Sequence, residues 1–393
     1  MDNPVKYIAL LGMGQVVLFI VLILFKKKKQ VKDYLLALTL LMIGAELFYR
    51  FTGTPITGQA DNRIIVLDLV YWAILGPATL LYIDFLVHPD LRFRRKHLFH
   101  LAPLIIIMIP YTRYLISGNT QDPFFLYATR SDLFNIVMVY IWDWITPFYL
   151  IATLFRIRTY RKEVYSFFSN IRKKDLRWAF YLTGGLMIYF LVAFLLLYLG
   201  EFGLINFPYS TATISVIVLE VYVLGVGIYG YRQEGIFSEY NQTGSINPGL
   251  VSKINAENIN GKKYERSGLN DIEGQEIAQQ LKVLMRTEKP FINCDLNIND
   301  LAEKLDTSFH KLSQVINENF HQNFYEFVNS YRIEEVKKYL NDPDYDHLKI
   351  ISLAWDCGFN SKSAFYNAFR KITGETPTEY RSRVQKETYR IGA

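Results

Sequence analysis

The sequence contains few of the residue patterns that enzymes use for chemistry. Only two cysteines occur, Cys294 and Cys357, and they form no CxxC or other metal-ligand spacing, so reduced and inert thiols are expected. The six histidines form no HExxH or other paired motif, and no Walker loop, GxSxG or kinase signature is present. The sequence therefore gives no support for an enzyme, and it implies neither a metal nor a cofactor.

The C-terminal part of the chain has no excess of positive charge. The formal net charge is +6, but residues 1–232 hold 23 Lys and Arg against 14 Asp and Glu, whereas residues 291–393 hold 13 against 15. The C-terminal part is slightly acidic, so its net charge alone would not predict nucleic-acid binding. The basic excess belongs to the strongly apolar first part of the chain.

The first 230 residues contain seven apolar runs that are long enough to cross a membrane as helices. A helix needs about 20 apolar residues to span the hydrocarbon core, and backbone groups in lipid must be paired within the segment. The runs cover about residues 7–25, 34–50, 64–87, 98–116, 133–155, 178–199 and 210–230. We therefore predict an all-α protein that begins with a seven-helix transmembrane bundle over residues 1–231.

The loops between these runs predict an orientation in the membrane. The loops at 26–33, 88–97 and 156–177 hold 17 Lys and Arg, whereas the N-terminus and the alternate loops hold five. Because basic loops remain in the cytoplasm, the N-terminus is expected outside and everything after Tyr231 inside. The expected location is the inner (cytoplasmic) membrane of the cell, as a multi-pass protein with a cytoplasmic C-terminal part.

Several ionisable residues lie within the predicted spans. Asp143 and Glu220 fall near the middle of the membrane, and four others lie nearer its faces, namely Glu46, Asp68, Asp84 and Arg113. A charge at depth costs about 2.5–3.5 kcal/mol on insertion scales, so each should have a partner or face a polar cavity. Asp143 and Glu220 are a candidate intramembrane polar site for a ligand or a proton. The alternative is that they only hold helices together.

Residues 232–270 are rich in Asn, Gly and Ser and lack apolar periodicity, which is typical of a flexible linker. The remaining residues, 271–393, contain amphipathic helical patterns that occur twice. In the first pattern Ile298, Leu301, Ala302 and Leu305 form one apolar face, Asp306 begins a turn, and Ser308 can cap a second helix to about residue 320. This repeat over 297–320 leaves hydrogen-bonding side chains outside, namely His310, Lys311, Ser313, Gln314 and Asn317.

A long amphipathic helix over about 323–341 connects this pattern to a second copy over 350–373. Gly358 follows Ala354 by four residues, the same distance as Asp306 from Ala302, and glycine adopts the positive φ of such a turn at low cost. Asn360 or Ser361 can cap the second helix of this copy. The side chains left outside are Lys362, Ser363, Tyr366, Asn367 and Lys371.

The second copy carries the pattern that allows a family to be named. It reads Gly358-Phe359-Asn360-Ser361, then Ser363, Phe365, Phe369, Lys371, Gly374, Thr376-Pro377 and Tyr380-Arg381. This region resembles the AraC/XylS-type transcription regulators over about residues 290–385. The resemblance implies seven helices and two recognition helices that enter successive segments of the major groove on one face of the duplex. It implies DNA contacts at Ser308, Ser361 and Arg381 besides the exposed residues of both repeats, but many members carry Arg where this chain has Asn367.

The combination predicts a membrane-embedded, one-component transcription regulator whose transmembrane domain senses a signal. The expected partners are double-stranded DNA, the lipid bilayer and a small-molecule or membrane signal, while a homodimer remains open. One alternative is a receptor or transporter-like protein whose C-terminal domain docks a protein partner, which the acidic balance of residues 291–393 favours. A second alternative is a regulator that the bundle only anchors to the membrane.

Overall fold

The chain is helical throughout the part that the computed structural model describes, which is residues 4–52, 62–88, 91, 93–106, 108, 133–171, 174–201, 211–232 and 270–391. It divides into two compact units. The N-terminal unit comprises Met1–Thr159 and Leu176–Pro248, and the C-terminal unit comprises Tyr160–Asp175 and Gly249–Ala393. Among the described residues the one strand-like pairing is an isolated antiparallel bridge between Phe168 and Asn297. An all-α fold is therefore observed.

The N-terminal unit consists of apolar helices. Its elements are α1 (Pro4–Leu24), α2 (Val31–Thr52), α3 (Asn62–Val87), a 3-10 turn (Arg95–Leu101), α4 (Leu133–Phe167, up to Thr159), α5 (Arg177–Glu201) and α6 (Thr211–Gly225), which continues as a π-helical turn (Val226–Gly230). Helix α2 packs against both α1 and α3, and α6 packs against α1. Small residues allow these close approaches, since a Cβ at Gly227 would overlap the ring of Phe19.

Four described helices are long and apolar enough to cross a membrane, namely Lys6–Leu24, Val31–Thr52, Val70–Val87 and Arg177–Leu195. The apolar helix Val216–Gly230 is shorter. The predicted span at about 98–116 lies partly outside the described residues, and the side chains of residues 133–143 are not described, so the seven-span bundle stays a prediction.

Ionisable residues of the predicted spans have partners wherever their side chains are described. Glu46 pairs with Arg50 at 2.6 Å, and Asp84 pairs with Arg156 at 2.5 Å. Glu220 accepts a hydrogen bond from Gln15 Nε2 at 2.5 Å. These pairs agree with the expected cost of an unpaired charge among apolar helices. The side chains of Asp68, Arg113 and Asp143 lie outside the described residues, so the structure does not test a joint site of Asp143 and Glu220.

The C-terminal unit contains two short-helix pairs joined by a long helix. Its elements are α7 (Asp271–Thr287), a 3-10 turn (Pro290–Ile292), α8 (Ile298–Lys304), α9 (Phe309–Phe320), α10 (Phe324–Leu340), a second 3-10 turn (Pro343–Tyr345), α11 (Ile350–Asp356), α12 (Lys362–Thr373) and α13 (Pro377–Ile391). Side-chain caps begin three of these helices. Asn297 and Asp300 form a capping box at α8, and Ser308 caps α9 and Ser361 caps α12 as the sequence predicts. Element bounds thus follow local chemistry closely.

The predicted domain boundary at residue 231 does not account for residues 160–175. These residues lie in the primary sequence between two apolar runs, yet they cluster with the C-terminal unit. Phe167, Phe168 and Ser169 are each at most 2% exposed. The hydropathy of the sequence does not predict this burial. The predicted linker at 232–270 lies outside the described residues except at its two ends.

Candidate nucleic-acid interface

Two helix-turn-helix motifs repeat the same backbone geometry. In the first, formed by α8 and α9, Asp306 has φ +48° and the Thr307 amide donates to the Ala302 carbonyl at 2.9 Å. In the second, formed by α11 and α12, Gly358 has φ +90° and the Phe359 amide donates to the Ala354 carbonyl at 3.0 Å. The predicted left-handed turn is confirmed in both motifs, and in the first an aspartate adopts it.

A compact apolar cluster fixes the second recognition helix, α12. Phe365 and Phe369 are fully buried against residues of α10 and α11, and Tyr380 of α13 contacts the Phe369 ring edge-on at 5.4 Å. Phe365, Ala368 and Phe369 form the buried face, whereas Ile372, the next residue of the same apolar pattern, is exposed. Helix α12 therefore presents one definite face outward.

The outward face of α12 carries the side chains predicted to contact DNA. Lys362, Ser363, Asn367 and Lys371 are exposed, and Tyr366 is half-buried, with the Lys362 ammonium 5.5 Å from its ring centre. Except for Lys371, which lies in the last turn, these are hydrogen-bonding groups in the first two turns of the helix, the part that reads base edges in such motifs. Ser361 caps the helix and its Oγ lies 2.9 Å from Ser363 Oγ, so it acts here through local structure.

Arg370 joins this face, although it is not among the residues predicted to contact DNA. Its side chain is exposed on α12. It lies three residues after Asn367 and seven after Ser363, the spacing that places residues on one side of a helix. That spacing is the signal that could have identified it. A guanidinium here adds a donor for phosphate or guanine, as is expected of a groove-facing helix.

The first recognition helix, α9, is more covered than its sequence predicts. His310, Lys311 and Ser313 are half-buried, and burial lowers the pKa of His310. The expectation that Gln314 lies outside is wrong, because its side chain is only 7% exposed and its Nε2 donates to Glu318 at 3.3 Å. Helix α9 packs against α7, α8 and α10, so its buried face is wider than a single apolar stripe.

Two other predicted contacts of the first motif are partly engaged within their own helix. Asn317 is exposed, but its Nδ2 donates to the Ser313 carbonyl at 2.8 Å. Ser308 accepts from the Lys311 amide at 3.3 Å as the cap of α9. Both remain at the surface, where a change of rotamer would release them.

Two of the three lysines predicted to contact DNA, Lys311 and Lys371, are paired with glutamates. Lys311 contacts Glu273 of α7 at 2.5 Å, and Lys371 contacts Glu326 of α10 at 2.5 Å. Burial alone would raise the pKa of Glu326, but the Lys371 ammonium and the Asn323 amide outweigh it and lower that pKa. Exposed pairs of this kind contribute about 0–1 kcal/mol, so phosphate could displace the glutamates at small cost.

Arg381 fastens the last helix and is less available than predicted. Its NH1 donates to the Leu348 carbonyl at 2.8 Å, and the side chain is half-buried. This bond ties α13 to the segment before α11.

Comparison with known proteins agrees with this geometry. Residues 301–383 match a family model described as a helix-turn-helix domain. The chain is 33% identical over 87 residues to an uncharacterized HTH-type transcriptional regulator of Staphylococcus aureus (strain COL), which covers 22% of this chain and 11% of that protein. It is 29% identical over 96 residues to the melibiose operon regulatory protein of Escherichia coli (strain K12), which covers 24% of this chain and 31% of that protein.

The likeness is confined to the end of the chain that holds the two motifs. The chain spans about a tenth of the length of the staphylococcal relative and under a third of the melibiose regulator. No solved structure matches the chain. The matched relatives and the two motifs agree on one conclusion: the C-terminal part of this chain is an AraC-type helix-turn-helix domain, as found in transcription regulators.

Proposed function

We propose that the protein is a membrane-embedded transcription regulator that binds specific DNA through both motifs under the control of its apolar helices. The observation that supports this most is the open face of α12, where five polar side chains stand on a helix locked by its own core. A helix presented in this way suits the major groove, whose base edges offer distinct donors and acceptors.

The four apolar helices support a membrane location for the same chain. The 17 Lys and Arg in alternate loops favour an inside location for the loops and for the C-terminal unit. We therefore propose an inner-membrane protein with its DNA-binding domain in the cytoplasm. The melibiose operon regulatory protein is, by its name, the regulator of an operon, and by analogy we propose an operon as the target of this protein. The signal would be a small molecule or a property of the membrane.

The test uses the full chain in lipid nanodiscs and a library of genomic fragments. We expect selection of a small set of fragments, with an affinity that falls steeply with salt because bound phosphates release counterions. Ser363→Ala and Arg370→Ala should weaken binding to selected fragments, whereas substitution at the exposed Glu303, on the first helix of the first motif, is the matched control. Failure to retain any fragment at low salt by a folded protein would refute the proposal.

A protein partner is the second candidate for the C-terminal unit. It is favoured by the acidic balance of residues 291–393 and by the glutamates that hold Lys311 and Lys371. The two candidates differ in the salt experiment, since a protein-docking face would retain no DNA at any salt concentration. The open polar face of α12 favours DNA.

A further inference from the structure

Residues 160–175, which we call the docked segment, bind the start of the first helix-turn-helix motif. Ser169 donates twice to the Leu296 carbonyl, from its amide at 3.1 Å and from its hydroxyl at 2.6 Å. Phe168 forms the antiparallel bridge with Asn297, the residue that caps α8. Asn170 Nδ2 donates to Asp295 Oδ1 at 3.1 Å. Three successive residues of the segment are thus paired with residues 295–297.

Aromatic side chains extend this contact to the N-terminal ends of α9 and α10. The ring of Phe167 lies 5.2 Å from that of Phe309, the first residue of the recognition helix α9. Tyr165 meets Tyr325 edge-on at 5.1 Å. Recognition helices reach base edges with their N-terminal residues, so the docked segment lies beside the end of α9 that would enter the groove.

A buried arginine connects the docked segment to residues 291–293, which lead into the first motif. Arg332 of α10 is only 2% exposed, and burial lowers its pKa to about 10. Its Nε donates to the Phe291 carbonyl at 2.7 Å and its NH2 to the Asn293 carbonyl at 2.8 Å. It also donates to the Ser169 carbonyl at 3.3 Å and to the Ser169 hydroxyl at 3.2 Å. A buried guanidinium needs hydrogen-bond acceptors, and Ser169 of the docked segment supplies two of them.

The docked segment is closed on itself and continues into apolar helices at both ends. Tyr160 donates from its hydroxyl to the Lys174 carbonyl at 2.9 Å, and the Lys174 ammonium lies 3.9 Å from the ring centre of Phe168. Tyr160 belongs to α4, and Asp175 is two residues before α5. A change in either helix is therefore carried to the segment through the chain itself.

The two motifs differ in how far the polar side chains of their recognition helices are exposed. Four of the five side chains predicted to contact DNA from α12 are exposed. In α9, His310, Lys311 and Ser313 are half-buried, and Gln314 is buried with an unpartnered Oε1. Helices α7, α8 and α10 cover most of α9, and the docked segment adds a contact at its first residue, Phe309.

We propose that residues 160–175 are an intramolecular restraint that holds the first motif in a state of low DNA affinity, and that signals in the apolar helices act by releasing it. The inference rests on the proposed DNA-binding function. It names the docked segment, and not the linker at 232–270, as the route by which the signal reaches the first motif.

The test locks and unlocks the contact reversibly in the full chain in nanodiscs. Asn170→Cys and Asp295→Cys are combined with Cys294→Ser and bridged by a short bis-methanethiosulfonate crosslinker, while the native Cys357 stays buried. The probe is the pool of genomic fragments that this variant selects in its reduced form. Each single-cysteine variant, treated with the same reagent, is the control.

We expect efficient crosslinking and about a tenfold loss of DNA affinity on locking, within the usual range of coupling between sites, with full recovery after reduction. Phe167→Ala, which removes the contact to Phe309, should increase affinity several-fold. Absence of the crosslink would overturn the docking. Equal affinity of locked and reduced protein would overturn the restraint but leave the regulator proposal standing. Absence of any DNA binding by the reduced, folded protein would refute both proposals.

Discussion

Replacement of Gly358 by alanine should destabilise the second motif far more than the same change at Gly374. Both glycines have positive φ, +90° and +83°, where an added Cβ is strained. At Gly374 a Cβ meets nothing within 4 Å, but at Gly358 it would overlap the Phe291 carbonyl oxygen and lie 2.7 Å from that of Ile292. Gly374→Ala therefore measures the strain alone, and Gly358→Ala measures strain and overlap together.

The structure allows an estimate of the difference. The left-handed conformation costs an L-residue roughly 1–2 kcal/mol at either position. Relief of the overlap at Gly358 must displace the Phe291 carbonyl, which accepts from buried Arg332, and a lost hydrogen bond to a charged group costs about 1.5–3 kcal/mol. Gly358→Ala should thus cost roughly 2.5–5 kcal/mol in free energy of unfolding, a large share of the stability of a small domain.

Cys357 provides the assay, because its buried thiol becomes reactive only when the second motif opens. In a Cys294→Ser background a thiol-reactive dye reports the temperature at which Cys357 is exposed in the full chain. At about 3–5 °C per kcal/mol for a unit of this size, Gly358→Ala should melt roughly 10 °C below Gly374→Ala. Equal melting temperatures would show that the turn of the second motif does not pack against the Phe291 carbonyl.

Three further predictions concern contacts, thiols and topology. Ser363→Ala should leave the melting temperature nearly unchanged and weaken DNA binding. Lys362→Gln should reduce the slope of log affinity against log salt by about one. Titrations of a selected fragment would measure both effects on binding. Burial raises the pKa of the Cys357 thiol to about 12. At pH 8 a thiol reagent should therefore label the partly exposed Cys294 and leave Cys357 unlabelled until the protein is denatured. Mass spectrometry of the labelled protein checks this. A reporter fused after Tyr231 should be active only as a cytoplasmic reporter, and activity outside would contradict both the topology and access to DNA.

Local sequence determined most of the C-terminal fold. Caps at Ser308 and Ser361, a buried face of Ile298, Leu301 and Ala302, and a residue able to take positive φ after each first helix all appear in the structure as predicted. These features depend on residues within one or two turns of each other, so the sequence carries them directly.

Tertiary structure alone decided how far each predicted side chain is available. Gln314 is buried because three helices pack around α9, and Lys311 and Lys371 are engaged by glutamates that lie 38 and 45 residues away in the chain. No local pattern reports such partners, because they depend on how the helices pack. For the same reason the sequence does not predict that Arg332 is buried and donates hydrogen bonds to Ser169, which lies far away in the chain.

The largest difference between sequence and structure is the assignment of residues 160–175. Hydropathy divides a chain by the length of its apolar runs, and by that measure this stretch is a basic loop between two of them. Its place in the C-terminal unit rests on pairings with residues 295–297, Phe309 and Arg332, more than a hundred residues later. The sequence could thus determine which segments form helices and which motif they build, whereas only long-range packing could show which segment the motif is attached to.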